Sequence, residues 1–318
     1  MNYFPIVLMG LVFLISCSNT EEKAVDLSLT SSTKTPELFA KDLVSTGLYE
    51  RDIAIHPSGE EIIYTLGDYK QNKRCLLVIR KQEERWASPE VLNISGRYQD
   101  IEPFFAQGGQ RLFFASNRPL HQDSAAADYN IWYSDREGDH WGIPVPLNEN
   151  INTPGDEFYP SVARNGNLYF TATKAEGIGR EDIYLAQLVN GEYQLPQVLD
   201  STINTKYYEF NAYVSPDEDL LIFSAYGRPD DLGGGDLYLA RKEGGAWMPA
   251  QNMGPGINSD KLDYCPFVDV ARNTFYFTSE RMTISDTLRI GNIATLHQLA
   301  NAPGNGLGDI YRVVFKGM

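Results

Sequence analysis

The sequence predicts an all-β fold, and more specifically a five-bladed β-propeller whose blades have four strands each. An acidic residue recurs at nearly equal steps ahead of strand-like segments, at Glu50, Glu102, Glu157, Glu209 and Asp263. An alternating apolar run follows each acid and ends at Tyr64, Phe114, Phe170, Phe223 and Phe277. A four-stranded period of about 50 residues is typical of propeller blades, because one small twisted sheet must stack on its neighbours to cover its faces.

The third and fourth strands of each blade are predicted by a second pair of repeated positions. The strings CLLV, NIWY, DIYL and DLYL predict third strands, and ten residues after an apolar position in each string comes an aromatic residue on a predicted outer strand. These aromatic residues are Trp86, Trp141, Tyr193 and Trp247. Because they occupy one position of the repeat, we expect them to pack between blades rather than to form a carbohydrate platform.

The two ends of the repeat region predict how the ring closes. The fifth unit ends at the GDIYRVVF strand and has no outer strand of its own. The segment PELFAKDLV, in which Ala40 and Leu43 repeat the spacing of Ala250 and Met253, precedes the first acid. We therefore expect the N-terminal segment to supply the outer strand of blade five, which leaves no open sheet edge.

The N-terminus predicts export and lipid anchoring. Residues 1–16 contain no Lys, Arg, Asp or Glu and form an apolar run of signal-peptide length that ends at Cys17. The string LISC resembles a bacterial lipobox, in which the cysteine becomes the lipidated first residue. The alternative is that Cys17 is an ordinary thiol at the end of an uncleaved anchor. Residues 17–35 are expected to be a flexible tether and residues 36–318 the propeller.

Composition excludes one class of partner. The formal net charge is −15, and an acidic surface argues against nucleic-acid binding and against a basic patch for anionic lipid.

Cys75 and Cys265 fall on a third strand and a first strand, which lie at different distances from the axis, so we expect free thiols rather than a disulfide. The four histidines are scattered and do not support a zinc site.

Several strings resemble the TolB-type, WD40-like propeller repeat. They include GGQRLFFASNRP, SPDEDLLIFSAYGRPDDLGGGDLYLA, GREDIYLA and GLGDIYRV, and the resemblance extends over residues 36–318. It implies a periplasmic or surface-exposed protein, because members of this group act as envelope scaffolds, as modules beside peptidoglycan-binding domains or as the gating ring of prolyl-oligopeptidase-type peptidases. Ser18, Glu21 and Glu22 resemble sorting signals of Bacteroidota outer-membrane lipoproteins. The sequence contains no G-x-S-x-G nucleophile motif.

Strand direction predicts that the polar residues gather on one face. Successive antiparallel strands alternate in direction, so the five acids are expected around the axial mouth, with Arg118, Arg228 and Arg281 farther out. Converging carboxylates could hold a cationic ligand, either Ca²⁺ or a basic peptide. The simpler interpretation, which we favour, is that each acid accepts hydrogen bonds from turn amides or pairs with an arginine of a neighbouring blade. No cofactor is otherwise expected.

The same predicted face carries the longest insertion. The connection from Phe277 to Asp309 is at least twice as long as any of the equivalent connections in the other units. It contains the apolar residues Ile290, Ile293, Leu296 and Leu299. The insertion is expected to be either a lid that binds a partner or a plug over the seam between blades five and one.

Together these features favour a non-catalytic, lipid-anchored recognition or scaffold protein of the outer membrane, facing the periplasm or the cell surface. We expect it to bind an envelope protein or a peptide through the insertion-bearing face. The alternative is a carbohydrate-active protein, either a glycan-binding protein or a glycoside hydrolase or lyase with carboxylates at the axial mouth. Such an enzyme would need two carboxylates in unlike environments beside exposed aromatic residues. A third function, structural support of an envelope assembly, also remains open.

Overall fold

The computed structural model describes residues 27–83, 85–121, 128–285 and 287–315. Small antiparallel sheets follow one another around a closed ring and confirm the predicted five-bladed propeller. Cys17 and the predicted signal peptide lie outside the described residues. Within the described ranges, no helix is long and apolar enough to cross a membrane.

Each blade is built from three main strands and a short outer strand, which is divided into two pieces in blades one to four. After the N-terminal strand β1 (Glu37–Leu38), blade one contains β2 (Tyr49–Ile55), β3 (Glu61–Gly67), β4 (Arg74–Gln82), β5 (Arg85–Trp86) and β6 (Glu90–Val91). Blade two contains β7 (Asp100–Ala106), β8 (Arg111–Ser116), β9 (Asn130–Glu137), β10 (His140–Trp141) and β11 (Val145–Pro146).

The remaining blades repeat this order. Blade three contains β12 (Glu157–Val162), β13 (Leu168–Ala172), β14 (Asp182–Ala186), β15 (Leu188–Val189), β16 (Glu192–Tyr193) and β17 (Gln197–Val198). Blade four contains β18 (Tyr208–Val214), β19 (Leu220–Tyr226), β20 (Asp236–Glu243), β21 (Ala246–Trp247) and β22 (Gln251–Asn252). Blade five contains β23 (Asp263–Asp269), β24 (Thr274–Ser279), the helix α1 (Ile293–Ala300) and β25 (Asp309–Val314). Two 3₁₀ turns, Gln107–Gly109 and Val270–Arg272, join first and second strands.

The ring closes as the sequence predicts. Strand β1 pairs antiparallel with β25, placing Glu37 opposite Arg312 and Leu38 opposite Tyr311. The Arg312 guanidinium donates to Glu37 at 2.9 Å, and Phe39 is fully buried beside this pairing. The last blade therefore takes its outer strand from the N-terminal part of the chain.

Packing on the ring begins earlier than predicted. Leu27 and Leu29 are buried, the indole of Trp86 donates to the carbonyl of Leu27 at 2.9 Å, and the hydroxyl of Tyr276 donates to that of Leu29 at 2.5 Å. The predicted tether boundary at residue 35 is therefore too far along the chain. Residues 27–35 are not a free linker, because Leu27 and Leu29 belong to the buried apolar cluster of blades one and five.

The core lies between blades. The repeated aromatic residues of the outer strands are 1 to 7% exposed, which confirms their predicted packing: Trp86, Trp141, Tyr193 and Trp247. In one such contact Tyr169 of blade three meets Trp247 of blade four edge to face, with ring centroids 6.4 Å apart. Cys265 is buried, Cys75 is half-buried, and both are free thiols as predicted.

Every first strand contains a β-bulge. The register of the first strand against the second shifts once in each blade, and one residue there adopts a left-handed φ of 49° to 60°: Asp52, Glu102, Tyr159, Asn211 and Cys265. A bulge leaves one residue out of the ladder and bends the strand. The fold thus supplies one irregular position per blade close to the axis.

Candidate functional site

Four of the predicted acids occupy equivalent positions and are capped from within the protein. Glu50, Glu157, Glu209 and Asp263 are at most 1% exposed. Each accepts hydrogen bonds from a Thr or Ser four residues earlier, through the backbone amide and the hydroxyl, at 2.5 to 3.2 Å. These bonds match the simpler interpretation from the sequence, in which the acids hold the connection between blades.

Glu102 does not belong to this set. Asp100, not Glu102, lies opposite the end of the second strand, where it pairs with Ser116 as Asp263 pairs with Ser279. The nearly equal spacing of the acids in the sequence led to Glu102 instead of Asp100, two residues earlier. The spacing stayed nearly equal because the connections before blades two and three differ in length. Glu102 is instead the bulge residue of blade two.

The predicted arginines neutralise buried acids of their own blade, so the expected pairing with a neighbouring blade is wrong. Arg118 lies 2.5 Å from Asp100, Arg228 lies 2.9 Å from Glu209 and Arg281 lies 2.7 Å from Asp263. Lys174 takes the same role for Glu157, at 3.3 Å. Each arginine also donates to a backbone carbonyl of the connection before its blade. The predicted face residues therefore mostly bind one another.

Blade one lacks this cation. Among the described residues, no basic side chain forms an ion pair with Glu50, and Asp68 follows its second strand where Arg118 or Arg281 follows in other blades. Burial, and then the negative charge of Asp309, raise the pKa of Glu50 to about 7. Burial likewise raises the pKa of Asp309 to about 7. The seam between blades five and one therefore contains two buried carboxyl groups, and in the described part of the chain neither forms an ion pair.

The bulge residues meet in a polar network that fills the axis. Arg51 donates to Asp52 at 2.7 Å, to Glu102 at 2.9 Å and to the thiol of Cys265 at 3.6 Å. Asn211 donates to Glu102 at 3.3 Å. Burial raises the pKa of Glu102, opposed by the positive charge of Arg51. The sequence did not reveal this network because the five bulge residues are of five different types and share only a backbone conformation.

Glu102 has a specific role in this network. In three blade junctions, the bulge amide donates to a threonine hydroxyl on the second strand of the preceding blade, as Glu102 itself does to Thr65 at 3.1 Å. Blade two has Ala115 at the threonine position. The amide of Tyr159 donates instead to the Glu102 carboxylate, at 2.7 Å. The carboxylate thus replaces the missing hydroxyl.

Above this network lies a cavity of about 260 Å³, here named the axial pocket. It opens on the face of the ring where the first strands begin. The same face carries residues 283–306, and we name it the insertion face. Its polar lining includes Arg51, Arg74, Glu102, Glu181 and Asn211, and its aromatic lining is Phe158, Phe210 and Tyr264. Burial, and then the charge of Asp156, raise the pKa of Glu181.

Among the described residues, no group of three or more His, Cys, Asp or Glu side chains is placed to hold a metal ion. Calcium binding stays a prediction.

The insertion has its apolar side chains in solvent. Its base is closed by the amide of Thr283, which donates to the carbonyl of Gly304 at 3.0 Å. Its end covers the seam at Gly47, where a Cβ would fall 2.5 Å from the backbone of Asn301. Between these points, Leu288, Ile290, Ile293 and Leu296 are 45 to 68% exposed. The insertion therefore touches the seam as the plug interpretation predicts, while no residue of its helix α1 is fully buried.

A larger cavity on the opposite face was not anticipated from the sequence. It has a volume of about 750 Å³ and opens at the ends of the first strands, between blades two and three. We name it the aromatic cleft, after the residues Phe104, Phe105, Phe113, Tyr133, Tyr193, Tyr213 and Phe267 that line it. The lining residues come from all five blades, and in the sequence the aromatic ones resemble core residues.

No protein-family model matches the chain, and no curated protein matches it. The chain is a five-bladed β-propeller. Among solved structures, endo-arabinase from Bacteroides thetaiotaomicron is 15% identical with a TM-score of 0.51, covering 86% of this chain and 96% of that one.

Two further solved structures are similar. TolB from Acinetobacter baumannii is 13% identical with a TM-score of 0.46, covering 83% of this chain and 54% of that one, so the chain spans about half the length of TolB. The catalytic domain of a GH62 alpha-L-arabinofuranosidase from Coprinopsis cinerea is 10% identical with a TM-score of 0.48, covering 91% and 96%. At these identities the likeness concerns the fold alone.

Proposed function

We propose that the protein is a non-catalytic binding module of the bacterial cell envelope, anchored to the outer membrane by lipid on Cys17. In this proposal, a protein or peptide partner docks on the insertion face. The observation that carries it is the exposed apolar surface of the insertion: Ile290 is 50% exposed, Ile293 68% and Leu296 45%. Contiguous exposed apolar residues are uncommon on monomers and mark interaction sites.

The insertion presents these side chains on a supported frame. Asn292 caps helix α1 by accepting the amide hydrogen of Thr295 at 2.9 Å, and Asn305 donates to the carbonyl of Gly47 on the ring at 3.3 Å. A preorganised surface loses less conformational entropy on binding than a free loop does. Leu48, Tyr226 and Leu232 add exposed apolar area on neighbouring connections of the same face.

The buried carboxylates support a binding role over a hydrolytic one. Asp100, Glu157, Glu209 and Asp263 are paired with cations. A general acid or a nucleophile must reach its substrate, and carboxylates that cap turns at the blade junctions do not.

Photocrosslinking tests the docking surface. We expect a photoreactive residue introduced at Ile293 to yield a discrete adduct in cells that produce the protein, and Ile290→Ser with Leu296→Ser to abolish that adduct. The matched control position is Ile143, which lies between β10 and β11 of blade two, away from the insertion, and is 87% exposed. Equal adduct patterns from positions 293 and 143 would contradict the proposal.

The anchor is tested separately. Cys17→Ala should abolish metabolic labelling with a lipid precursor and release the protein from membranes, whereas Cys75→Ala should leave both unchanged. Membrane fractionation that does not differ between the two variants would remove the lipid anchor from the proposal.

One observation favours a second candidate function, which is the cleavage of a glycan bound in the axial pocket. There, Glu181 is half-buried with a raised pKa, while Glu102 is paired with Arg51, and both lie beside Phe158 and Phe210. Two carboxylates in unlike environments are what glycoside cleavage requires. Release of reducing sugar from envelope polysaccharides, lost in Glu181→Gln, would favour this candidate. The absence of release with native protein would leave the pocket without that role.

A further inference from the structure

We propose that the aromatic cleft is a second binding site, separate from the insertion face, and that it takes the hydrocarbon chain of a lipid-derived amphiphile. The choice of ligand rests in part on the proposed lipid anchor, which determines what the cleft faces. The cleft itself does not depend on that anchor.

The size and lining of the cleft are those of a ligand site. A volume of about 750 Å³ lies within the usual range for small-molecule pockets, which are mostly apolar with a few polar groups. Phe104, Phe105 and Tyr133 are half-buried, so their rings are partly open to the cavity. Phe113 and Tyr133 lie 6.0 Å apart between ring centroids and form one wall.

Of the four charged residues that line the cleft, three are paired within the protein and the fourth, Glu192, is exposed. Arg111 donates to Asp135 at 2.6 and 2.9 Å, and its guanidinium lies 3.9 Å from the centroid of the Tyr133 ring. Asp269 pairs with Arg272 at 2.8 Å, and Arg164 pairs with Asp217. A ligand in the cleft therefore meets mainly carbon surface.

Hydrocarbon suits such a wall better than a peptide backbone does. Each peptide unit brings a donor and an acceptor that cost free energy when they are buried without partners. Apart from Gln107, Asn148 and the hydroxyl groups of three tyrosines, the described lining offers no neutral polar side chain. A methylene chain needs none, and each methylene that leaves water adds to the free energy of binding.

The path of the N-terminal segment places the cleft toward the membrane. The described chain begins at Leu27, which is bound to Trp86 in the hairpin after the third strand of blade one. Hairpins after third strands lie on the same side of a propeller as the turns after first strands, which is the face of the cleft. Leu27 lies ten residues after Cys17, a span of at most about 35 Å when extended. An anchored ring would thus keep the aromatic cleft near the bilayer and point the insertion face away from it.

A fluorescent fatty acid tests the site. The full chain, kept in solution with a fluorinated surfactant that mixes poorly with hydrocarbon, is titrated with a dansyl-labelled undecanoic acid. We expect saturable binding that palmitate displaces. Ala271→Trp should narrow the mouth and Leu188→Asp should place a charge in the wall, and each should weaken binding at least tenfold. Leu296→Asp on helix α1 is the matched control and should bind as the native protein does.

The outcomes separate this site from the proposed docking surface. Absence of saturable binding, or equal affinity in the variants and the control, would overturn the inference, as would displacement by an apolar peptide but not by palmitate. Melting temperatures identify any variant that fails to fold, and two differently placed substitutions keep the test decisive. Crosslinking from position 293 should persist in Ala271→Trp, so the failure of one proposal does not imply the failure of the other.

Discussion

The unpaired acid at the seam makes the stability of the ring depend on pH in a defined direction. Glu50 is fully buried, and its pKa is raised from 4.5 to about 7. The folded protein therefore binds more protons than the unfolded chain between these two values, and stability must fall as the pH rises through them. A difference of roughly 2.5 pKa units at about 1.4 kcal/mol each corresponds to about 3 kcal/mol, lost in full above about pH 8.

Replacing the carboxyl group by an amide removes this dependence. In Glu50→Gln the side chain stays neutral, so we expect the variant to be less stable than the native protein near pH 5, where it loses one acceptor for Thr46. Near pH 8 it should be the more stable of the two by about 1 to 2 kcal/mol, because that lost hydrogen bond, about 1 kcal/mol, offsets part of the gain. Urea unfolding of both proteins at pH 5, 6, 7 and 8 measures the difference.

Blade four supplies the matched control. Glu209 occupies the same position but lies 2.9 Å from Arg228, so Glu209→Gln leaves a buried guanidinium without its charge partner. We expect that variant to lose roughly 3 kcal/mol at every pH from 5 to 8. Stability curves of Glu50→Gln and native protein that stay parallel across this range would refute the argument that the seam acid is protonated on folding.

Three further outcomes follow from the packing. Gly308→Ala should lower the melting temperature sharply, because its Cβ would fall 2.3 Å from the Tyr49 ring at the seam. Glu102→Ala should destabilise the ring by about 3 kcal/mol or more in urea unfolding, because it leaves the Arg51 charge buried without one of its two carboxylate partners. Cys265, with burial raising its thiol pKa well above the usual value, should react with a maleimide only when the protein unfolds.

Each of these outcomes has a control within the chain. Gly256→Ala, with open space around its Cβ, should leave the melting temperature unchanged, and an equal loss in both glycine variants would contradict the close-approach argument. Ala115→Thr should partly rescue Glu102→Ala by restoring a hydroxyl for the Tyr159 amide. Cys75 is half-buried and should label in the folded protein faster than Cys265; equal rates would contradict the burial order.

Repetition made the fold predictable and the sites less so. Five-fold recurrence of strands, and of the outer aromatic residues such as Trp141, identified the blades because packing between blades imposes the same demand on each unit. The same regularity misplaced Glu102, since a spacing argument cannot detect compensating changes in loop length. Contacts across the axis, such as Arg51 with Cys265, join residues far apart in the sequence and differ in type from blade to blade. No periodic signal encodes them.

The aromatic cleft illustrates a second limit. Tyr193 was correctly predicted as a packing residue, and it is 7% exposed, yet it also lines the aromatic cleft. Whether an aromatic residue fills a junction or borders an opening depends on how closely two blades approach. That distance follows from the shapes of many side chains together and not from any one position of the repeat.

The pairing of β1 with β25 imposes an order on biogenesis. Glu37 pairs with Arg312, which lies 275 residues farther along the chain, so during synthesis β1 has no partner for its amides and carbonyls until β25 has emerged. Contacts of such sequence separation form slowly. The assembling chain is consequently open to edge-to-edge association with other strands until this last pairing forms, and factors that shield the exposed ladder would raise the yield of finished rings.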